Sequence, residues 1–145
     1  EPARVKRLVL CSGKVYYDLL ERRQQGGAQD IALVRIEQLY PFPAEEYRAI
    51  LERYANAREI VWCQEEPQNQ GAWYQIRHRL QAALGPKHEW LYAGRESAAA
   101  PATGIHALHL REQDAVVAAA LFSKSFEESH SATHRLTTES TRKNS

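Results

Sequence analysis

At 145 residues the chain has room for one domain with a single hydrophobic core, and its 43% hydrophobic and 26% charged residues match ordinary globular composition. With 19 Lys and Arg against 18 Asp and Glu, the near-neutral balance gives no electrostatic reason to expect nucleic acid or an anionic membrane as the main partner. No run of 18 apolar residues is present to span a bilayer, and the opening Glu1-Pro2-Ala3-Arg4 is not a basic-then-apolar signal pattern.

In chain order, residues 5–11 (VKRLVLC) are apolar and β-branched enough for a strand, which Ser12-Gly13 breaks. A helix follows, with Tyr16, Leu19, Leu20 and the stem of Arg23 at helical spacing and Gly26-Gly27 as its stop. Residues 31–36 (IALVRI) are nearly continuous in apolar character, as a strand covered on both faces would be. Pro43 suits the first turn of the next helix, Glu45 and Glu46 favour the positive end of its dipole, and Tyr47, Ile50, Leu51 and Tyr54 form its apolar stripe. Residues 59–64 (EIVWCQ) read as the third strand. A polar turn through Pro67 to Gly71 leads to a helix with inner face Trp73, Ile76, Leu80 and Leu84, stopped by Gly85-Pro86. Residues 89–93 (EWLYA) form the fourth strand, Gly94 to Gly104 a small-residue loop, and His106 to Phe122 a closing helix with Leu110, Val117 and Leu121 on one side. Strands alternating with helices through short connections specify an α/β fold: three layers, with a mostly parallel sheet of four to five strands and helices on both faces.

This domain is expected to cover residues 1–122. From Ser123 onward 10 of the last 23 residues are Ser or Thr and apolar residues are scarce, so 123–145 reads as a flexible tail. Cys11 and Cys63 each lie within an apolar strand and read as buried free thiols, which favours a reducing compartment. The absence of methionine, even at position 1, suggests a domain cut from a longer chain or an engineered piece.

In doubly wound sheets, ligands bind beyond the carboxyl ends of the strands, and three turns there carry chemistry-bearing residues. Ser12-Gly13-Lys14 puts a hydroxyl, a flexible backbone and an ammonium at a helix start. It is an anion site on one reading, and on the other a cap by Ser12 with Gly13 easing the turn. Neither GxxxxGK[ST] nor GxGxxG is present, so these residues imply no triphosphate or dinucleotide. The second turn holds Glu65, Glu66, Asn69 and Gln70. Successive residues of an extended backbone face opposite ways, which disfavours Glu65 and Glu66 as a catalytic pair. The turn suits either an interface or effector pocket, or simple capping of the next helix by Asn69. In the third, Arg35 lies in an apolar strand and needs a carboxylate partner on this domain or a neighbour. His106 and His109, and His130 and His134, have helical spacing, but no further ligand completes a metal set with either pair. Trp73, Tyr74 and Tyr16 exceed the needs of the core, so they belong either to an interface or to core packing.

The segments CSGKVYYDLL at 11–20, VRIEQLYPFP at 34–43, WCQEEPQNQGAW at 62–73, YAGRESAAAPATG at 92–104 and HLREQDAVV at 109–117 together closely resemble the C-terminal domain of the 2-oxoglutarate dehydrogenase subunit family. The resemblance runs from about Val5 to Leu121 and fails in the tail. It implies a transketolase C-terminal-like α/β fold and a parent subunit, a homodimer, that decarboxylates 2-oxoglutarate in the tricarboxylic acid cycle. That parent passes succinyl to a lipoyl-bearing succinyltransferase component. In the family, thiamine diphosphate and magnesium are held by two preceding thiamine-binding domains, so the resemblance implies no catalytic residue, cofactor or metal in this piece, and no activity of the piece alone. It leaves assembly, with an interdomain or effector edge at Ser12, Gly13, Lys14, Arg35, Glu65, Glu66, Asn69 and Gln70. It implies a cytoplasmic setting in a bacterium and the mitochondrial matrix in a eukaryote. An independent nucleotide or acyl-coenzyme A binding module at Ser12-Gly13-Lys14 is the alternative, and a stand-alone enzyme using Glu65 or Glu66 ranks last.

Overall fold

A computed structural model describes residues 1–95 and 106–123, with side chains from Leu110 onward in the second stretch. After a 3-10 turn at Pro2–Arg4, strands and helices alternate: β1 Arg7–Cys11, α1 Val15–Gly26, β2 Ile31–Arg35, α2 Ala44–Arg53, β3 Glu59–Pro67, α3 Trp73–Ala82, β4 Glu89–Arg95 and α4 His106–Phe122. The four strands of the described residues make one sheet in the order β2-β1-β3-β4, and every neighbouring pair is parallel. A tight hairpin cannot join parallel neighbours, so a helix crosses the sheet after each of the first three strands.

Side-chain alternation along the strands builds two cores. From β1, Leu8 and Leu10 join Trp62, Tyr47, Ile76 and Leu80 under α2 and α3, whereas Val9 and Cys11 join Val15, Leu19, Val61, Val116 and Ala120 under α1 and α4. Both faces are therefore covered, which is the three-layer arrangement the apolar runs specify. The chain steps from β1 outward to β2 and then returns to the other side of β1 as β3, so the order reverses between β1 and β3. The loops beyond the carboxyl ends of these two strands form the crevice such sheets use.

Several boundaries follow the sequence closely. α1 ends where the two glycines stand: Gly27 is left-handed at φ +63°, and the N–H groups of Gly27 and Ala28 close onto the carbonyls of Gln24 and Arg23. Others shift. Pro43 precedes the first turn of α2 rather than lying in it, although Glu45 and Glu46 do occupy that turn. β3 runs three residues past Gln64 because its pairing with β4, irregular after Cys63, resumes at Pro67 opposite Arg95. β4 likewise includes Gly94, expected to open a loop; the Tyr92 side chain folds so closely over Gly94 that a β-carbon there would strike it. Leu110, expected on the inner side of α4, is 54% exposed, while Val117 and Leu121 are buried as their spacing requires. Trp73 belongs to the core, against Trp90 and Tyr92, rather than to an exposed aromatic face; Tyr74 does lie exposed.

The amino ends of the strands carry a tie the sequence pattern did not reveal. Arg7, buried at the start of β1, donates through Nε to Glu59 at 2.7 Å, through Nη1 to the Ala120 carbonyl at 2.9 Å and through Nη2 to the Ser123 carbonyl. A cation thus closes the negative end of α4. The expected tail from residue 124, the span 96–105 and the four histidine side chains of the two pairs lie outside the described residues.

Candidate functional site

The three turns singled out in the sequence all lie at the carboxyl edge of the sheet; the first two meet through Lys14 and Glu65, and Arg35 of the third pairs elsewhere. After β1, Gly13 adopts φ +79°, a conformation natural to glycine, and turns the chain into α1. Ser12 does not cap this helix: the capping position is Lys14, and no side chain bonds to the exposed amides. The Lys14 ammonium instead reaches across the switch point to Glu65 Oε1 at 3.4 Å. Glu65 also accepts from Gln113 Nε2 at 2.7 Å, and the same nitrogen lies 3.0 Å from Asp18 Oδ2. A single α4 amide therefore bridges carboxylates from α1 and β3. Lys14, Asp18 and Gln113 line an open groove of about 600 Å³ between α1 and α4, together with Leu110 and Val117.

Toward the end of β3 the chain is organised by Gln64, a buried residue. Its Oε1 accepts from Trp62 Nε1 at 3.0 Å and from the Trp73 backbone N–H at 3.1 Å. Its Nε2 lies 3.0–3.1 Å from the carbonyls of Glu66, Pro67 and Gln70. Asn69 is thus not the cap of α3. That helix begins after Ala72 without a side-chain cap of its own, and the amide of Trp73 is satisfied from β3. Gln70 takes part through its backbone, its carbonyl receiving Gln64 and its N–H donating to the Pro67 carbonyl at 2.8 Å. The two glutamates diverge as the pleat requires. Glu65 turns to Lys14 and Gln113, whereas the Glu66 carboxylate lies over Gly71, where a β-carbon would come within 3.0 Å of it. They form no carboxylate pair.

Arg35 departs from the expectation of a buried cation. It is the last residue of the edge strand β2, where the sheet no longer covers it, and its guanidinium is exposed. Glu37 accepts from its Nε at 2.8 Å, and the group stacks over the rings of Tyr16 and Tyr17 at 4.9 and 5.4 Å. Beyond it, Tyr40 is 91% exposed. Tyr, Arg and a carboxylate together make a surface suited to protein contact.

Two further pieces of the edge are Gln64 and a pair that joins β4 to α4. Arg95, ending β4, pairs with Glu112 of α4 at 3.4 Å with both side chains nearly covered. Nothing in a lone Arg after a strand or a Glu within LREQD announces this pairing, which depends on how α4 packs. Gln64 did leave a signal: an amide directly after an apolar strand must find partners for both its ends. The thiols are buried and free, as their apolar setting suggests. Cys11 and Cys63 face each other across β1 and β3, fully buried, and burial pushes Cys11 up to about 12 and Cys63 well above its ordinary value. Among the described residues no three His, Cys, Asp or Glu gather to hold a metal ion, and no helix is long and apolar enough to cross a membrane.

A protein-family profile described as 2-oxoglutarate dehydrogenase C-terminal matches residues 1–121. Among curated proteins the chain is similar to the 2-oxoglutarate dehydrogenase E1 component of Haemophilus influenzae, with 51% identity over 121 residues, 83% of this chain and 13% of the relative. The protein of the same description from Azotobacter vinelandii is 55% identical over 117 residues, 79% of this chain and 12% of the relative. That from Coxiella burnetii is 50% identical over 123 residues, 83% of this chain and 13% of the relative. The chain thus spans about one eighth of the length of these relatives.

Proposed function

The chain belongs to the 2-oxoglutarate dehydrogenase C-terminal family, and from that premise we propose that it is the assembly domain of a thiamine-diphosphate-dependent 2-oxoglutarate dehydrogenase subunit. The parent decarboxylates 2-oxoglutarate and transfers succinyl to lipoamide on a succinyltransferase partner, working as a homodimer. The bacterial relatives favour the cytoplasm as its setting.

The observation that carries this reading is how the charges of the carboxyl edge are used. Lys14 is engaged with Glu65, Asp18 and Glu65 share the Gln113 amide, and Arg35 is engaged with Glu37. Contacts that join α1, β3 and α4 in this way tie these elements into one surface, which supports a docking role. The residues do not suit the diphosphate of thiamine diphosphate. A diphosphate at the switch point would meet the carboxylates of Asp18 and Glu65, with only the already engaged Lys14 in its favour. The cofactor is assigned to the preceding thiamine-binding domains of the parent. Ser12, Gly13, Lys14, Arg35, Glu65, Glu66, Asn69 and Gln70 then serve as the edge on which those domains or the second subunit rest. The Tyr17, Arg35 and Tyr40 surface contributes the apolar contact. The alternative of an independent nucleotide or acyl-coenzyme A module draws no support from the relatives, and the engagement of Lys14 with Glu65 argues against it.

The test compares the 145-residue chain with the full subunit. The chain alone should neither bind thiamine diphosphate nor turn over 2-oxoglutarate, and a paired Arg35→Ala and Tyr40→Ala replacement in the subunit should weaken its assembly, read by sedimentation. Turnover by the chain alone overturns the proposal.

A further inference from the structure

We infer that Gln64 is the positioning residue of the carboxyl edge: one buried amide fixes the turn from Glu65 to Gly71, so that Glu65 is presented to Lys14 and Gln113 while Glu66 is held on the opposite side. The inference rests on the docking role proposed for that turn and deepens it by naming what sets the shape of the docking edge.

The argument is one of hydrogen-bond accounting. Around Gln64 Oε1 stand two donors, the Trp62 indole N–H and the Trp73 amide, and around Nε2 stand three acceptors, the carbonyls of Glu66, Pro67 and Gln70. Only a side-chain amide presents an acceptor and a two-hydrogen donor a single carbon apart, so these neighbours, joined by the Tyr92 hydroxyl that also bonds Gln64, require an amide and set its orientation. Three carbonyls share two hydrogens, so at least one hydrogen is shared between carbonyls. Four of these bonds organise the turn. The Trp73 amide is the first orphan donor of α3, which lacks a capping side chain, and its satisfaction from β3 starts the helix in place. The Glu66 and Pro67 carbonyls are gathered where β3 and β4 lose register between Cys63 and Pro67. The Gln70 carbonyl closes the loop onto itself just before Gly71, whose φ of +66° completes the turn. Glu65 emerges between the strand anchor and this closed loop. Its direction toward Lys14 and Gln113 is therefore set by Gln64, and Gln64, buried, touches no docking partner itself.

Two variants of the 145-residue chain separate positioning from mere volume, read by the Trp62 indole resonance and by amide exchange at Trp73 and Gln70. In Gln64→Leu, both donors lose their acceptor, the Trp62 indole signal shifts, and protection at Trp73 falls by roughly tenfold, the effect of one lost hydrogen bond. In Gln64→Glu, the acceptor side survives, so Trp62 and Trp73 keep their signatures, while the three carbonyls face a carboxylate and protection at Gln70 is lost. Unchanged signatures in Gln64→Leu overturn the inference, since a space-filling side chain would then suffice. The same variants in the full subunit address the docking role: weakened assembly by sedimentation supports it. Intact assembly with the disordered turn demonstrated leaves the local positioning standing and overturns the docking role of this turn.

Discussion

Replacing Arg7 by methionine keeps the apolar stem and removes the guanidinium, and the structure allows the loss to be worked out. Three bonds vanish: one to the Glu59 carboxylate and two to carbonyls at the end of α4. Breaking a buried ion pair by removing one partner costs about 3–5 kcal/mol, chiefly through the charge left behind. Glu59 is 32% exposed, so water recovers part of that cost and the pair sits at the lower end. To this is added the Ala120 carbonyl, which loses its buried donor at about 1–3 kcal/mol. A total of about 4–6 kcal/mol follows, a large share of the stability of a single domain. For a chain of this size it lowers Tm by about 15–20 °C. Urea unfolding at 25 °C, followed by circular dichroism, should show the midpoint fall with an unchanged slope. Adding Glu59→Gln to Arg7→Met should cost at least about 1 kcal/mol less than adding it to the native chain, because the carboxylate has already lost its partner. A loss below about 1 kcal/mol for Arg7→Met, the level of an exposed pair, refutes the claim that this cation holds the last helix in place.

Two glycines should respond to alanine to different extents. Gly13→Ala meets open space and carries only the left-handed backbone strain, about 1–2 kcal/mol by thermal unfolding, whereas Gly94→Ala runs into the buried Tyr92 ring and should cost several times more or prevent folding. The thiols should make the protein alkali-sensitive. Because burial raises Cys11 to about 12 from 9.0 and lifts Cys63 as well, their stabilising contribution is complete below pH 9. It is lost as the pH climbs toward the folded values, since the unfolded chain releases its protons first, at about 1.4 kcal/mol per pH unit per thiol. The urea midpoint should fall between pH 8 and 9.5, before the raised phenols of Tyr47 and Tyr92, whose unfolded value is 10.0, add most of their effect, and Cys11→Ala should flatten the trend. Lys14→Ala, which breaks a pair whose ammonium side is 80% exposed, should change stability by less than about 1 kcal/mol, leaving any effect on subunit assembly readable on an intact fold.

The fold was legible because its signals are local and repeated. Apolar runs of five or six residues, each followed by a helical stripe and a Gly or Pro stop, leave little besides a parallel sheet covered on both faces, and β1 is buried along its whole length as that requires. The boundaries misjudged by two or three residues are those set by pairing rather than propensity. β3 and β4 continue because Pro67 finds Arg95 across an irregularity, which no property of Gln64-Glu65-Glu66 alone could report. Leu110 illustrates the same point on α4: the apolar spacing is right, but the helix turns that residue outward beside the groove.

The site was legible in its place but not in its wiring, and the reason is chemical. Sequence shows which groups a turn carries, so the carboxyl edge could be named; which groups neutralise one another depends on neighbours brought in by other elements. Ser12 and Asn69 were natural caps by composition, yet α1 begins at Lys14 with no side-chain cap and α3 takes its acceptor from Gln64, nine residues back on another strand. Arg35 needed a partner and has one two residues away, with two tyrosines from α1 beneath it, because the edge strand ends there and leaves it uncovered. The outcome for function is the same in each case. A carboxyl edge whose cations Lys14, Arg35 and Arg95 each meet a carboxylate, and whose backbone is pinned by a buried amide, presents a defined shape. A defined shape is what the docking role proposed for this edge requires.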